Sequence, residues 1–203
     1  MKRFFGLVFG AFYLCVLFGC VTTSQPTVKT AKDQQVDKII ISSGKNVMGA
    51  VYYATGKNIC GIINSDPKYG IICESIASEG SIDNINKVLT SKVQFGIAQE
   101  DYQSDAWKGL GKWSSKGPQQ KLRSVFGLHD EPQFGVKATM ITSIDVPDNL
   151  VYVLTKSMFE NFEKFKNLHK AYQTITKKNM LEGLTAPIHP GALKYYEEIG
   201  IYK

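Results

Sequence analysis

The chain has 203 residues, of which 43% are hydrophobic and 11% aromatic, and its formal net charge at pH 7 is +6. This length and composition are sufficient for one domain with its own apolar core. The lysines are spread along the sequence without a basic cluster interleaved with aromatic residues, which argues against a nucleic acid as the partner.

Residues 1–19 have the layout of a secretory signal peptide. Lys2 and Arg3 form a positive start, and residues 4–19 carry no charge. Because this apolar run is shorter than the ~20 residues of a comfortable membrane span, the sequence predicts export and removal of the segment rather than a permanent membrane helix.

The segment that follows predicts attachment to a membrane surface. Leu17-Phe18-Gly19-Cys20 resembles the lipobox of bacterial lipoproteins, in which the cysteine is lipidated and becomes the new N-terminus, although Phe18 is bulkier than the usual small residue. Residues 20–36 are rich in Thr, Gln, Lys and Ser, which is typical of a flexible tether. We expect a periplasmic protein held by lipid at Cys20; a signal peptide cut elsewhere is the alternative.

From residue 37 to 203 the chain predicts a single α/β lobe. β-branched runs predict strands at 38–42, 71–76, 93–98 and 122–128, and amphipathic runs predict helices at 55–63, 81–89 and 100–107. This alternation predicts a mostly parallel sheet with helices on both faces. Ligands of such sheets bind at the carboxyl ends of the strands.

The pattern changes after residue 129. A longer strand is predicted at 134–144, and Asp145-Val146-Pro147-Asp148 is a helix start. Short helices are expected at 177–182 and from Pro190 to Glu198. The helix after Asp148 carries a core-facing stripe at steps of three and four, formed by Val151, Leu154, Met158, Phe162 and Phe165.

Two cysteines remain in the folded part once Cys15 leaves with the signal peptide and Cys20 is lipidated. An oxidising envelope permits Cys60 and Cys73 to form a disulfide, since a helix and the next strand can bring two Cα atoms within bonding range. Two buried free thiols are the alternative.

The sequence holds no recognisable catalytic constellation. The Gly44–Gly56 loop does not fit the Walker pattern, and no Gly-x-Ser-x-Gly elbow is present. His129, His169 and His189 do not lie at zinc-ligand spacing. We therefore expect neither an enzyme nor a metal or other cofactor.

Polar residues collect where the predicted strands end. Ser81 opens a helix whose free amides and dipole favour an anion, or it is simply the N-cap. Because strand ends of a parallel sheet share one edge, we expect nine positions to meet in a small-molecule site: Tyr52, Tyr53, Thr55, Ser78, Gly80, Ser81, Gln99, Asp101 and Gln103.

Four segments resemble the TAXI-type solute-binding subunits of TRAP transporters, in the same order as in that family and across most of residues 37–202. They are Val51-Tyr52-Tyr53-Ala54-Thr55-Gly56, Phe95-Gly96-Ile97-Ala98-Gln99-Glu100-Asp101, Phe134-Gly135-Val136-Lys137-Ala138-Thr139 and residues 183–192. The resemblance implies a periplasmic-binding-protein type II-like fold that traps an organic anion or amino acid, such as a dicarboxylate or glutamate, for TRAP membrane subunits. It implies a ligand-binding role for six of the positions at the strand ends, namely Tyr53, Thr55, Ser78, Ser81, Gln99 and Asp101.

Two departures from the family pattern change this expectation. Glu79 replaces a small residue and would repel an anion at short range. Residues 128–132 resemble the end of the first half of lobe one, and residues 134–136 resemble its return strand, so a second lobe of ~100 residues is expected to be missing at the 133/134 junction. We expect a single lobe that binds solute weakly; the alternatives are an envelope lipoprotein interaction module or a non-functional remnant.

Overall fold

Runs of β-branched residues form the strands of one five-stranded sheet, ordered β2-β1-β3-β5-β4. The computed structural model describes residues 37–45, 50–131 and 136–202, without the side chains of 129–131 and 136. The predicted signal peptide, the tether with Cys20, and the 133/134 junction lie outside the described residues. The strands are β1 (Asp37–Ser42), β2 (Ile71–Ile76), β3 (Phe95–Gln99), β4 (Leu122–Glu131) and β5 (Val136–Ser143).

The sheet is mixed but mostly parallel. Strand β1 pairs in parallel with β2 and β3, whereas β5 is antiparallel to both β3 and β4. Four strands therefore point one way and β5 points the other. The carboxyl ends of β1, β2 and β3 meet at one edge of the sheet, which we call the carboxyl edge; the opposite edge is the amino edge.

Helices cover both faces of the sheet. They are α1 (Val51–Asn64), α2 (Ser81–Leu89), α3 (Glu100–Lys108), α4 (Asp148–Glu160), α5 (Phe162–Lys166) and α6 (Pro190–Glu198). Successive side chains of β1 point to opposite faces of the sheet, so the core is divided into two clusters. Ile39 and Ile41 belong to the cluster on the face covered by α1, α4, α5 and α6. Ile40 packs against the cluster on the face covered by α2 and α3. The predicted α/β fold with helices on both faces is confirmed.

The core lies within the described domain. The described residues belong to one compact unit, 35–203, and form two buried clusters within it. None of the described helices has the length and apolar character needed to cross a bilayer.

Two helix predictions need correction. The stripe from Val151 to Phe165 is buried as predicted, but the helix breaks at Asn161, whose side-chain amide donates to the Ser157 carbonyl and to the Tyr69 hydroxyl. Asparagine competes in this way with the helix backbone for hydrogen bonds. The helix predicted at 177–182 is only one 3-10 turn, Asn179–Leu181.

Helix α1 begins four residues earlier than predicted and lies very close to the sheet. Its N-cap, Ala50, makes no side-chain hydrogen bond, so the sequence carries no signal for this start. A Cβ atom on Gly56 would lie 1.8 Å from the Ser43 Oγ, which is why glycine stands at this contact between α1 and β1. Cys60 and Cys73 are joined by a disulfide that connects α1 to β2, with their Cα atoms 4.9 Å apart.

Candidate functional site

Three helices begin at the carboxyl edge, directly after the parallel strands. Between the starts of α1, α2 and α3 lies an open depression of about 290 Å³. Its walls combine aromatic, amide, hydroxyl and acidic groups, contributed by Tyr52, Glu79, Gly80, Ser81, Ile82, Gln99 and Tyr102. The depression therefore occupies the place where a ligand of a parallel sheet is expected.

The start of α2 forms one wall of the depression. Gly80 is the N-cap and has a φ of 107°, a conformation that a residue with a Cβ rarely adopts. Ser81 is consequently the first helical residue and not the N-cap that was the alternative for it. Its Oγ accepts a hydrogen bond from the backbone N–H of Gln99 at 3.1 Å, which ties α2 to the end of β3.

The buried side-chain amide of Asn84 fixes the position of α2, which lies beside the depression. The Asn84 Oδ1 accepts from the Ser42 hydroxyl at 2.6 Å, and its Nδ2 donates to the carbonyls of Ser43 and Ile97, each at 2.7 Å. Asn84 is fully buried, and these hydrogen bonds replace the ones that its amide would make with water in the unfolded chain. They hold α2 against the ends of β1 and β3 and thereby set the positions of the two strand ends.

A second buried amide positions α3. The Gln103 Nε2 donates to the Ser124 hydroxyl on β4 at 2.6 Å, and its Oε1 accepts from the hydroxyls of Thr139 on β5 and Thr185. The first turn of α3 is thus fixed to the other half of the sheet. Sequence reasoning missed the role of Asn84, although a polar residue beside Ile85 on the apolar stripe was a usable signal.

The structure brings only part of the predicted site together. Ser81 and Gln99 line the depression. Ser78 is buried and is not one of the lining residues; its Oγ accepts a hydrogen bond from the Gly80 N–H at 3.3 Å. Tyr53 is half-buried on α1 with its ring near Lys57, and Asp101 is exposed in the first turn of α3, where its carboxylate accepts from the next N–H.

Thr55 lies in a helix and not in the loop where the sequence placed it. Because α1 begins at Val51, Thr55 lies in the second turn of that helix and is 0% exposed. Its Oγ1 donates to the Val51 carbonyl at 2.8 Å and is 2.8 Å from the Tyr172 hydroxyl. Thr55 therefore joins α1 to the turn at Lys170–Tyr172.

Aromatic side chains form a larger part of the depression than the sequence indicated. Tyr102 and Ile82 lie one residue beyond the predicted positions Asp101 and Ser81, because each helix turns the next residue toward the depression. Tyr52 contributes from the first turn of α1. These side chains offer apolar surface beside the polar groups of Ser81 and Gln99.

The charges near the depression are mostly paired. The Glu79 carboxylate, 80% exposed, lies 3.2 Å from the Lys45 Nζ. Burial acts to raise the pKa of Asp83, but the hydrogen bonds from Lys87 and from the Glu79 N–H outweigh it, so the pKa lies below its ordinary value. Among the described residues, no group of three His, Cys, Asp or Glu side chains could hold a metal ion.

An α/β lobe with an open, mixed polar and aromatic depression at the carboxyl edge corresponds to the solute-binding lobe of periplasmic-binding-protein-like proteins. A family model described as the NMT1-like family matches residues 46–136 and 132–200. These segments cover more than half of the chain, so the chain belongs to the NMT1-like family. This family is of the periplasmic-binding-protein-like, solute-binding type, and membership indicates a solute-binding protein of a transport system.

Proposed function

We propose that this protein is the extracytoplasmic solute-binding component of a TRAP-type uptake system and that it holds an organic anion or amino acid only weakly, because one of two lobes is missing. The membership of the NMT1-like family supports solute binding. The four segments that resemble TAXI-type subunits support the TRAP assignment and a dicarboxylate or glutamate-like ligand.

One observation supports the proposal that the second lobe is missing. The family match is divided into two segments that meet at residues 132–136. At the same place β4 and β5 are adjacent strands, paired as far as Glu131 and Val136. The resemblance implies a crossing to the second lobe at this point, whereas only four residues separate the paired ends here.

Within the depression, the chemistry suits a small carboxylate. The Ser81 hydroxyl can donate its proton, the Gln99 amide can donate from its nitrogen, and the first amides of α2 carry partial positive charge. The rings of Tyr52 and Tyr102 can pack against the carbon chain of the solute. We place Tyr53 and Asp101 at the rim and assign Ser78 to support of the Gly80 turn.

The open shape limits affinity. Each neutral hydrogen bond contributes only about 0.5–1.5 kcal/mol net, whereas association costs ~4–15 kcal/mol in lost freedom. Without a second lobe the solute remains in contact with water, and its charge interactions are weakened by the high dielectric constant. A dissociation constant on the order of 1 mM, which corresponds to about −4 kcal/mol, is therefore expected.

Isothermal titration calorimetry of the domain 37–203 with glutamate, 2-oxoglutarate and C4-dicarboxylates tests this proposal. We expect millimolar affinity for at least one of them and further weakening by Ser81→Ala. Micromolar affinity would show that one lobe suffices. Complete absence of binding to the whole panel would favour the envelope interaction module or the remnant.

Removing the charge of Glu79 and removing the charge of Lys45 should change anion affinity in opposite directions. Glu79→Gln removes the repulsive carboxylate and should tighten anion binding, whereas Lys45→Gln removes the neighbouring cation and should weaken it. Both side chains are exposed, so neither change should alter the melting temperature. Equal affinities in both variants would mean that the depression is not the anion site.

The proposed location rests on residues outside the described structure. A chain tethered by lipid at Cys20 should incorporate labelled fatty acid in the producing bacterium, and Cys20→Ser should abolish the label. A labelled Cys20→Ser chain, or an unlabelled wild-type chain, would contradict lipidation at this position.

A further inference from the structure

The connection from α3 to β4 concentrates positive charge. Within residues 107–123, which we call the basic loop, lie Lys108, Lys112, Lys116, Lys121 and Arg123, and no Asp or Glu occurs anywhere from Ala106 to His129. The expectation of evenly spread lysines is therefore wrong for this segment.

The basic loop is held in one shape. Trp113 is 1% exposed and anchors the loop in the core cluster beside α2 and α3. The backbone N–H groups of Gly109 and Gln119 both donate to the Ala106 carbonyl, so the loop closes on itself. Its cations are thus presented on a fixed surface.

Most of the charge on the basic loop is free for a partner. Lys121 pairs with Asp145 at 2.8 Å, but Lys108, Lys112 and Lys116 are exposed and form no ion pair with any residue in the described ranges. Between these lysines Leu110 is 50% exposed. A surface of unpaired cations around an exposed apolar side chain matches the interface of an anionic membrane.

The position of the basic loop relative to the chain start points to the same partner. The loop leads into Leu122, the first residue of β4, and β1 starts at Asp37; the two strands run in the same direction, so both starts lie at the amino edge. Asp37, the residue to which the proposed tether is joined in sequence, therefore lies at the amino edge, and a tether of residues 20–36 would span at most about 60 Å. The depression lies at the opposite, carboxyl edge.

We propose that the basic loop docks on the anionic phospholipid headgroups of the membrane to which the chain is tethered, so that the depression faces away from that membrane. The proposal uses the proposed lipid attachment but does not depend on solute binding. A nucleic acid fits the same charge less well, because Trp113 is buried and the Arg123 guanidinium lies over one face of the Trp107 ring at 5.6 Å, which reduces the aromatic surface on which bases could stack.

Flotation with lipid vesicles tests the docking surface on the domain 37–203, which contains both core clusters. We expect binding to vesicles with about one-third phosphatidylglycerol, none to pure phosphatidylcholine, and loss of binding as salt shortens the screening length. The triple change Lys108→Gln, Lys112→Gln, Lys116→Gln should lower partitioning about a hundredfold, since each lysine near an anionic surface contributes roughly a factor of five.

A matched control removes the same charge elsewhere. Lys170, Lys177 and Lys178 are exposed in the connection between α5 and α6, outside the basic loop. Changing these three lysines to Gln should reduce vesicle binding much less, and unchanged melting temperatures show that both variants fold. Equal losses in the two variants would overturn the proposal in favour of a net-charge effect.

Two further outcomes would also overturn the docking proposal. One is absence of binding to anionic vesicles at low salt, and the other is tighter binding to a single-stranded oligonucleotide than to vesicles. Neither outcome affects the calorimetric test of solute binding, so the two proposals fail separately.

Discussion

At the scale of single residues, several positions that look functional in the sequence are structural. Gly56 belongs to a segment shared with solute receptors, yet its role here is a close contact between α1 and the hydroxyls of Ser43 and Ser75. Thr55 is used in the same way, through its bond with Tyr172. Both residues therefore have packing roles that the sequence pattern did not predict.

Gly56→Ala should destabilise the domain by about 2 kcal/mol, because its new Cβ would overlap the Ser43 Oγ and overpacking outweighs the gain in helix propensity. Gly61 lies in the same helix, and a Cβ added there would meet no atom within 4 Å, so Gly61→Ala should stabilise by up to ~1 kcal/mol. Urea unfolding of both variants measures the difference; similar values would contradict the close contact.

His189 should make the stability of the domain depend on pH. Its Nδ1 accepts from the Gly191 N–H at 3.1 Å, and burial lowers the pKa of its imidazole below 6.5 against the opposing charge of Asp148. Below pH 6.5 the unfolded chain takes up the proton first, so stability falls as the pH decreases toward the folded-state pKa.

Urea midpoints at about pH 7.5 and 5.5 check this sign. The wild type should lose at most about 1.4 kcal/mol on acidification to the lower pH, because only one unit separates it from the unfolded-state pKa. His189→Asn keeps a cap for α6 and cannot titrate, so its loss should be smaller. An equal loss in both proteins would assign the effect to other groups.

At the scale of elements, α1 is fastened to the edge strand β2 in two ways. The disulfide joins Cys60 to Cys73, and the Asn64 side chain exchanges two hydrogen bonds of 2.8 Å with the Cys73 backbone. Asn64 thus satisfies backbone groups that an edge strand otherwise leaves unpaired. Since α1 also supplies Tyr52 to the depression, these contacts help to position the site.

Removal of the disulfide should cost about 3 kcal/mol, the value for a closed loop of roughly 15 residues. Cys60→Ala/Cys73→Ala and the reduced wild type should show the same loss in urea unfolding. Thiol counting in denaturant without reductant should find no free thiol in the domain 37–203 purified from the periplasm. Two thiols under those conditions would favour the alternative of free cysteines.

At the scale of the whole molecule, the described residues form two core clusters on opposite faces of one sheet. The free edge of β4 is partly covered by the later chain, since the Ser124 N–H donates to the Pro187 carbonyl and the His189 N–H to the Ser124 carbonyl. The segment that leads into α6 therefore protects part of this edge from pairing with another strand.

The sequence predicts that residues 21–36 are a free tether, so a chain that starts at residue 37 should unfold in one cooperative transition with the same melting temperature as a chain that starts at residue 21. Differential scanning calorimetry of the two chains measures this. A difference of several degrees would mean that residues 21–36 pack on the domain and are not a free tether.

The sequence by itself determined the fold class, most strand positions and the edge of the sheet where a ligand belongs, because period-2 and period-3.6 burial is a local property of the chain. It could not determine the start of α1, which lacks a capping side chain, or the break at Asn161, which depends on Tyr69. Only the tertiary structure decided which side chains line the depression and that the basic loop and the chain entry share the amino edge. Those relations join residues far apart in sequence, through contacts such as the one between Asn84 and Ser42, and no local pattern encodes them.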